Sequence, residues 1–319
     1  MDALSEKNLP RVVAIGGPTA TGKTALSVAL ARHFGAEVIS ADSMQIYRGL
    51  DVGTAKVTPE ECCGVPHHLV DILDPEMPFS VADFVSAADR CIREITAAGR
   101  LPLVVGGTGL YITSLLNGMG FAPEKGDPAI RTELERRAQT EGREVLYAEL
   151  RQLDPDYAAT VHPNNLPRVI RALELYRNTG RRMSEQRREA RKVASPYRSL
   201  CLCLGYHDRE LLYRRIDERV DRMLQKGILE EAQRVYEHRD TYRTAAQAIG
   251  YKEFFPYFEG TQSLESCLDK LKQASRNYAK RQLTWFRHQQ TATWLYVDEG
   301  DSASLMQQAQ RLISDFLHS

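Results

Sequence analysis

The sequence lacks the features of a secreted, membrane-inserted or metal-stapled protein. No apolar run approaches the ~20 residues that a membrane-spanning helix needs, and the first ten residues have no apolar core of the kind that signal peptides carry. The six cysteines include no CxxC spacing, which argues against a zinc site or a disulfide framework. We therefore expect reduced, mostly buried thiols in a cytoplasmic protein without membrane contact.

The chain also lacks net charge, but its charges are unevenly placed. It carries 42 Lys and Arg residues against 42 Asp and Glu residues. Residues 161–192 nevertheless contain nine basic and three acidic residues, and residues 271–297 contain five basic residues and no acidic one. This concentration suits a polyanionic partner such as a nucleic acid, or equally a pair of solvated helix faces.

Length and periodicity predict an α/β core with a helical insertion. A chain of 319 residues with 43% hydrophobic residues exceeds a typical single domain. Short β-rich runs alternate with helical patterns over the first hundred residues, as in a parallel sheet with flanking helices. We predict strands at residues 12–15, 37–40, 68–72, 101–105, 200–204 and 294–297, and helices at 23–34, 81–98, 209–225, 228–237, 244–255 and 263–288. The predicted domains are core segments at 1–120 and 196–319, the second mostly helical, and a helical insertion at 121–195.

A phosphate-binding loop is the most specific motif in the chain. Residues 17–24 fit the pattern of Gly, four variable residues and Gly-Lys-Ser/Thr. The glycines let successive backbone N–H groups converge on an anion, and the following helix adds the positive end of its dipole. Lys23 supplies an ammonium group, and the Thr24 hydroxyl can bind Mg²⁺. The predicted di- or triphosphate site comprises Gly17, Pro18, Thr19, Ala20, Thr21, Gly22, Lys23 and Thr24.

Two further segments follow predicted strands, at the edge where such sheets bind ligands. Asp42 follows the second strand and could accept a proton or bind Mg²⁺, although Asp42 and Gln45 also fit a helix N-cap with a capping box. Residues 106–109, Gly-Gly-Thr-Gly, follow the fourth strand, where phosphate-loop NTPases normally carry an acidic metal ligand. These glycines either let a ligand come close or form a tight turn.

Three basic segments in the C-terminal part have two interpretations each. Residues 214–222 hold four arginines among acids at helical spacing, which favours surface ion pairs over an anion site. Residues 247–252 mix Gly, Tyr and Lys, as either a nucleic-acid contact or a helix interruption would. Lys272, Arg276 and Lys280 share one helix face and form a basic stripe, which either gives salt-dependent RNA affinity or faces solvent.

Taken together, the motifs resemble the bacterial tRNA dimethylallyltransferases, also called tRNA isopentenyltransferases. The resemblance runs in order through nearly the whole chain. The matching segments are GPTATGKT at 17–24, ISADSMQIY at 39–47, DVGTAK at 51–56, VGGTGLY at 105–111, HPN at 162–164 with Arg168 and RALE at 171–174, IGYK at 249–252, and KRQLTWFR at 280–287.

The resemblance implies transfer of a dimethylallyl group from dimethylallyl diphosphate to N6 of an adenosine in tRNA. That adenosine is position 37, immediately 3′ of the anticodon, in tRNAs that read codons beginning with U. The backbone N–H groups of residues 19–24, Lys23, Mg²⁺ bound through Thr24, and Arg219 would neutralise the departing diphosphate. Asp42 would be the general base that accepts the N6 proton.

The resemblance also assigns the contacts with the tRNA anticodon stem-loop, whose target base must leave the stack to react. These residues are Asp42, Ser43, Met44, Gln45, Thr108, Arg131, Pro167, Arg168, Val169, Ile170, Arg171, Gln247, Ala248, Ile249, Gly250, Tyr251 and Lys252.

Two alternatives share the phosphate loop. An ATP-dependent small-molecule or nucleotide kinase would need an ATP lid and usually an acid where Gly106 stands. A non-catalytic NTP switch that binds RNA would need base-specific motifs, and there is no Asn-Lys-x-Asp tetrad. The sequence leaves open whether ATP also occupies the loop, and nothing in it requires more than a monomer.

Overall fold

The computed structural model describes residues 9–118, 127–190, 193–289 and 292–319. The chain divides into two compact units. The first comprises Met1–Leu116 with Pro196–Ser319, and the second comprises Asn117–Ser195.

A six-stranded parallel sheet is the centre of the first unit. Its strands are β1 (Arg11–Gly16), β2 (Ala36–Ser40), β3 (His67–His68), β4 (Leu101–Val105), β5 (Arg198–Gly205) and β6 (Ala292–Tyr296). Their order in the sheet is β3-β2-β4-β1-β5-β6, and every neighbouring pair is parallel. The predicted parallel sheet is therefore confirmed.

The predicted strand at 68–72 is wrong beyond its first residue. Leu69 and Asp71 adopt left-handed backbone conformations, with φ of 60° and 55°. Because a strand requires extended φ, the chain leaves the sheet after His68.

Helices cover both faces of the sheet. The helices of the first unit are α1 (Lys23–Phe34), α2 (Pro59–Cys62), α3 (Val81–Ala97), α4 (Gly109–Leu116), α10 (Arg209–Gln225), α11 (Ile228–Glu237), α12 (Phe255–Phe258), α13 (Leu264–Arg287) and α14 (Ser302–His318). The predicted helix at 244–255 is wrong: two 3₁₀ turns, Ala245–Gln247 and Lys252–Phe254, stand there instead. Gly250 between them has φ of +112°, which no helix accommodates. The sequence analysis predicts no helix at the position of α14.

Alternating side chains of β1 divide the core between the two faces. Val12 and Ala14 pack in the cluster that includes residues of α3 and α4, whereas Val13 and Ile15 pack with residues of α1 and α14. All four are fully buried. Burial on both faces is the pattern expected of a central parallel strand.

The described residues of the second unit form five helices: α5 (Pro128–Thr140), α6 (Arg143–Leu153), α7 (Pro155–Ala158), α8 (Leu166–Thr179) and α9 (Met183–Ala190). They surround their own apolar core, which includes Leu134, Leu146 and Leu173, all with no exposed surface. Within the described ranges, no helix of the chain is both long and apolar enough to cross a membrane.

Candidate active site

A cavity of about 500 Å³ opens at the carboxyl ends of β1, β2 and β4. It lies in the first unit, at the edge where parallel sheets bind ligands. Many predicted site residues line it: Thr19, Ala20, Thr21, Gly22, Lys23, Thr24, Asp42, Ser43, Met44, Gln45, Arg219, Gln247, Ala248, Ile249, Gly250 and Lys252. Gly17, Pro18, Thr108 and Tyr251 are not among its lining residues.

The phosphate loop presents an uncapped helix N-terminus to this cavity. Gly22 is the N-cap residue of α1, with φ of 80° and no side chain to occupy the first N–H groups, and the first turn contains no acid. Those N–H groups and the helix dipole therefore remain for an anionic ligand. The Pro18 carbonyl supports the loop from behind, because it accepts hydrogen bonds from the Thr21 hydroxyl (2.9 Å) and Lys23 Nζ (2.7 Å).

Lys23 and Arg219 both line the cavity, and the charge of Arg219 affects the pKa of Lys23. Burial, and then the positive charge of Arg219, lower the pKa of Lys23 to about 7. Burial also lowers the pKa of Arg219, and the negative charge of Asp42 opposes both shifts. Two basic side chains whose charged forms are disfavoured by burial face one cavity. A bound anion would stabilise the charged form of both.

Asp42 forms a turn instead of capping a helix. Its Oδ1 accepts the backbone N–H of Met44 at 2.9 Å and of Gln45 at 3.4 Å. Residues 43–46 are a turn, so the alternative interpretation of Asp42 as a helix cap is wrong. Both backbone bonds go to Oδ1. In the described part of the chain, Oδ2 accepts no hydrogen bond, which leaves that oxygen available for a substrate proton.

The turn after β4 has no room for the acid that NTPases place there. A Cβ atom on Gly106 would lie 2.1 Å from the Ala41 carbonyl oxygen. The following Thr108 supports the neighbouring loop, because its hydroxyl accepts the Ser43 backbone N–H at 3.2 Å. Glycine at 106 thus reflects the close approach of two loops, and any side chain there would separate them.

Helix α13 contributes residues that the sequence motifs do not assign to the site. Gln282 is buried, accepts the Thr19 backbone N–H at 3.0 Å and donates to the Gly107 carbonyl at 2.8 Å. The Thr19 N–H is therefore already occupied, which corrects the expectation that it binds the diphosphate. Tyr278 also lines the cavity, and burial followed by the charge of Asp42 raises its pKa to about 12. The KRQLTWFR segment at 280–287 contains Gln282 but not Tyr278.

The segment 247–252 is partly a cavity wall and partly core. Gln247, Ala248, Ile249, Gly250 and Lys252 line the cavity. Tyr251, in contrast, is fully buried in the first unit and its hydroxyl donates to Glu231 at 2.8 Å. Its side chain offers no surface to RNA, which corrects the predicted tRNA contact at this residue.

The basic stripe faces a neighbouring helix. Lys272 pairs with Asp221 at 2.7 Å and Arg276 pairs with Asp217 at 2.6 Å, both acids belonging to α10. Lys280 lies over the ring of Tyr213. The stripe and the acids of 214–222 thus hold α13 against α10, and two of its three charges are already paired.

Within the second unit, the predicted tRNA-binding residues differ in exposure. Pro167, Arg168 and Arg171 are exposed on α8, whereas Val169 and Ile170 are buried in that unit's core, which corrects the predicted contacts of these two side chains. Arg131 on α5 is half exposed and pairs with Glu135.

For Mg²⁺, the described residues offer one hydroxyl oxygen in the cavity and no cluster of acidic side chains. The Thr24 hydroxyl group lies in the wall of the cavity beside Lys23. Across the described ranges, no group of three or more His, Cys, Asp or Glu side chains is arranged to hold a metal ion. Mg²⁺ commonly takes one or two protein oxygens and completes its shell with phosphate oxygens and water, so this donor set fits a phosphate-bound ion.

Comparisons with known proteins give a consistent result. A protein-family model described as IPP transferase matches residues 45–289. A protein from Bacillus subtilis named tRNA dimethylallyltransferase is 49% identical over 89% of this chain and 90% of its own length. Another of the same name from Geobacillus thermodenitrificans is 50% identical, again over 89% and 90%.

Solved structures agree in fold. A tRNA isopentenylpyrophosphate transferase from Bacillus halodurans aligns with a TM-score of 0.73 at 44% identity, covering 97% of both chains. A eukaryotic dimethylallyltransferase acting on tRNA aligns with a TM-score of 0.82 at 32% identity, covering 97% of this chain and 79% of that one.

Proposed function

The chain belongs to the IPP transferase family, and we propose that it transfers the dimethylallyl group of dimethylallyl diphosphate to N6 of adenosine 37 of tRNA. The products are N6-dimethylallyladenosine and diphosphate. The observation that carries the proposal is one cavity lined by a phosphate loop, two cations and Asp42. Acceptors would be tRNAs that read codons beginning with U.

The diphosphate would occupy the phosphate loop. Lys23, Arg219 and the open N-terminus of α1 supply positive charge where negative charge builds on the leaving group. Preorganised charge of this kind is usually the largest catalytic contribution. Mg²⁺ held through Thr24 would add further neutralisation when it is bound.

Asp42 would accept the proton. The N6 lone pair attacks C1 of the donor, the C1–O bond breaks, and its electron pair leaves with the diphosphate. The nitrogen gains positive charge during attack, and its proton passes to Asp42 Oδ2. Backbone N–H bonds to Oδ1 orient the carboxylate for this step.

The anticodon stem-loop would supply the adenosine. Exposed Pro167, Arg168 and Arg171 support contacts in the second unit, and the 247–250 wall supports contacts beside the cavity. The base must leave its stack to reach a partly enclosed site. Unstacking a base costs little free energy in a single-stranded loop. We take the protein to act as a cytoplasmic monomer.

A kinase or an NTP switch has less support. Gly106 cannot carry the acidic metal ligand because the Ala41 carbonyl fills the space of its Cβ. No feature of the described residues favours ATP over a diphosphate in the loop.

An NTP-free transfer reaction tests the proposal. The protein is mixed with Mg²⁺, dimethylallyl diphosphate and unmodified tRNA, and nucleosides are analysed by mass spectrometry. We expect one dimethylallyl group on adenosine 37. A folded protein that gives no product without ATP would contradict the proposal.

A further inference from the structure

A buried carboxylate lies directly behind the cavity wall. Glu231 on α11 is 3% exposed. Its Oε2 accepts hydrogen bonds from the backbone N–H groups of Asp51 (2.8 Å) and Val52 (3.0 Å). Its Oε1 accepts hydrogen bonds from the Gly53 backbone N–H (2.8 Å) and the Tyr251 hydroxyl (2.8 Å). One side chain thus receives four hydrogen bonds.

Three successive N–H groups that converge on one point form an anion-binding hollow. Here the protein's own carboxylate fills that hollow. Hydrogen bonds to a charged acceptor are stronger than neutral ones, and burial removes competing water. The backbone of residues 51–53 is therefore fixed to α11.

The other side of this loop faces the active site. Gly53, Thr54 and Ala55 line the cavity. The Thr54 carbonyl accepts from Arg219 Nη2 at 3.5 Å and from Gln45 Nε2 at 3.3 Å. Displacement of the loop would move the acceptor that orients the guanidinium.

Close packing leaves the loop little freedom. A Cβ on Gly53 would lie 2.6 Å from the Tyr251 ring, and one on Gly250 would lie 3.3 Å from the Gly53 carbonyl oxygen. Lys56 fixes the far end through Asp51, Asp71 and the Tyr47 carbonyl. These contacts transmit the position of Glu231 to the cavity wall.

We propose that Glu231 is a positioning residue of the transfer reaction: it anchors residues 51–53 so that the Thr54 carbonyl orients Arg219 toward the diphosphate. The inference rests on the proposed function, since it takes Arg219 to be a diphosphate ligand. Glu231 itself touches no substrate.

Glu231→Gln is the sharpest variant because it preserves shape. The Gln amide has one acceptor oxygen, so either orientation turns its NH₂ group toward at least one backbone N–H of residues 51–53. Val235→Ala is the matched control. Val235 lies on the same helix and is fully buried in the same apolar cluster as Tyr251, and its apolar side chain cannot accept the N–H groups of residues 51–53.

Three measurements on the full chain separate anchoring from general destabilisation: hydrogen exchange of the amides of residues 51–53, affinity for inorganic pyrophosphate with Mg²⁺, and the melting temperature. In Glu231→Gln we expect faster amide exchange and about tenfold weaker pyrophosphate binding, the effect of one charge-assisted hydrogen bond. Val235→Ala is expected to lower the melting temperature without either change.

A double-mutant cycle identifies the route. If Glu231 acts through Arg219, the effect of Glu231→Gln on pyrophosphate affinity should largely vanish in an Arg219→Gln background. Additive effects, or an unchanged affinity in Glu231→Gln, would overturn this inference alone. An unmodified protein that binds no pyrophosphate would overturn the proposed function together with it.

Discussion

Gln282 and Thr19 are joined by a 3.0 Å hydrogen bond from the Thr19 backbone N–H to the Gln282 side-chain carbonyl, across 263 positions of sequence. The same amide donates to the Gly107 carbonyl. Helix α13 thus connects the phosphate loop to the turn after β4, and the geometry of the cavity depends on a residue far along the chain.

Gln282→Met should loosen both loops. The substitution keeps the volume but leaves a part-buried N–H and a buried carbonyl without partners, which costs about 1–3 kcal/mol for the carbonyl and less for the N–H. We expect a lower free energy of unfolding in urea and weaker pyrophosphate binding. Gln233→Met, which removes only an exposed 3.1 Å contact to Glu237 on the protein surface, is the control and should change neither. Equal effects of the two variants would contradict the bridging role.

Gly106→Ala should destabilise the fold. Its Cβ would meet the Ala41 carbonyl oxygen, a backbone atom that cannot rotate away. We expect a loss of about 1–3 kcal/mol in the free energy of unfolding, the usual cost of overpacking. Gly300→Ala is the control because its Cβ would meet Ser304 at an ordinary 3.4 Å. A Gly106→Ala protein as stable as wild type would show that the loops separate freely.

Asp42→Asn should abolish proton transfer while preserving the turn. The amide oxygen still accepts the Met44 N–H, but the side chain no longer takes a proton. We expect turnover to fall roughly 10²–10⁴-fold, the range for a general base. Pyrophosphate affinity should be equal or tighter, since a negative charge near Lys23 and Arg219 is removed.

Asp74→Asn is the control for Asp42→Asn, because Asp74 forms an exposed pair with Arg48. Its turnover should match wild type. If Asp42→Asn turned over normally in single-turnover assays, Asp42 would be only a turn residue.

Diphosphate binding should take up a proton above neutral pH. Burial and Arg219 lower the pKa of Lys23 to about 7, so at pH 8 most molecules of the free protein carry a neutral Lys23. A bound diphosphate favours the ammonium form and raises that pKa. Affinity is therefore greatest below pH 7 and falls by up to about tenfold per pH unit above it.

Calorimetry at pH 8 in two buffers of different ionisation enthalpy measures this uptake. The titrant is a non-reactive thiodiphosphate analogue of the donor, which contributes little because its terminal phosphate group, with a second pKa of about 6, is already ionised at pH 8. We expect uptake close to one proton in the wild-type protein and none in Lys23→Met. Identical apparent enthalpies in both buffers would rule out a neutral Lys23 in the free protein.

The sequence predicts most of the sheet and the phosphate loop because their signals are local. Apolar runs bounded by turn residues identify strands such as β1 and β4, and the spacing of Gly17, Gly22 and Lys23 encodes the loop within eight residues. Predictions from local sequence patterns are wrong where the backbone adopts an unusual conformation. Leu69 and Asp71 have positive φ without being glycine, and Gly250 interrupts an otherwise helical period.

Long-range partners are the other source of error. Helical spacing within α10 suggests that its acids pair with its own arginines, yet Asp217 and Asp221 pair with α13. Likewise nothing adjacent to Glu231 in the sequence indicates that its carboxylate receives N–H groups from residues 51–53. Such contacts arise only when distant segments pack together.

A crystal structure with Mg²⁺ and a non-reactive thiodiphosphate analogue of the donor tests the central claim most directly. We predict that its diphosphate lies in the phosphate loop, within hydrogen-bond distance of Lys23 and Arg219, with the allylic carbon directed toward Asp42. A diphosphate bound at any other place on the chain would contradict the account.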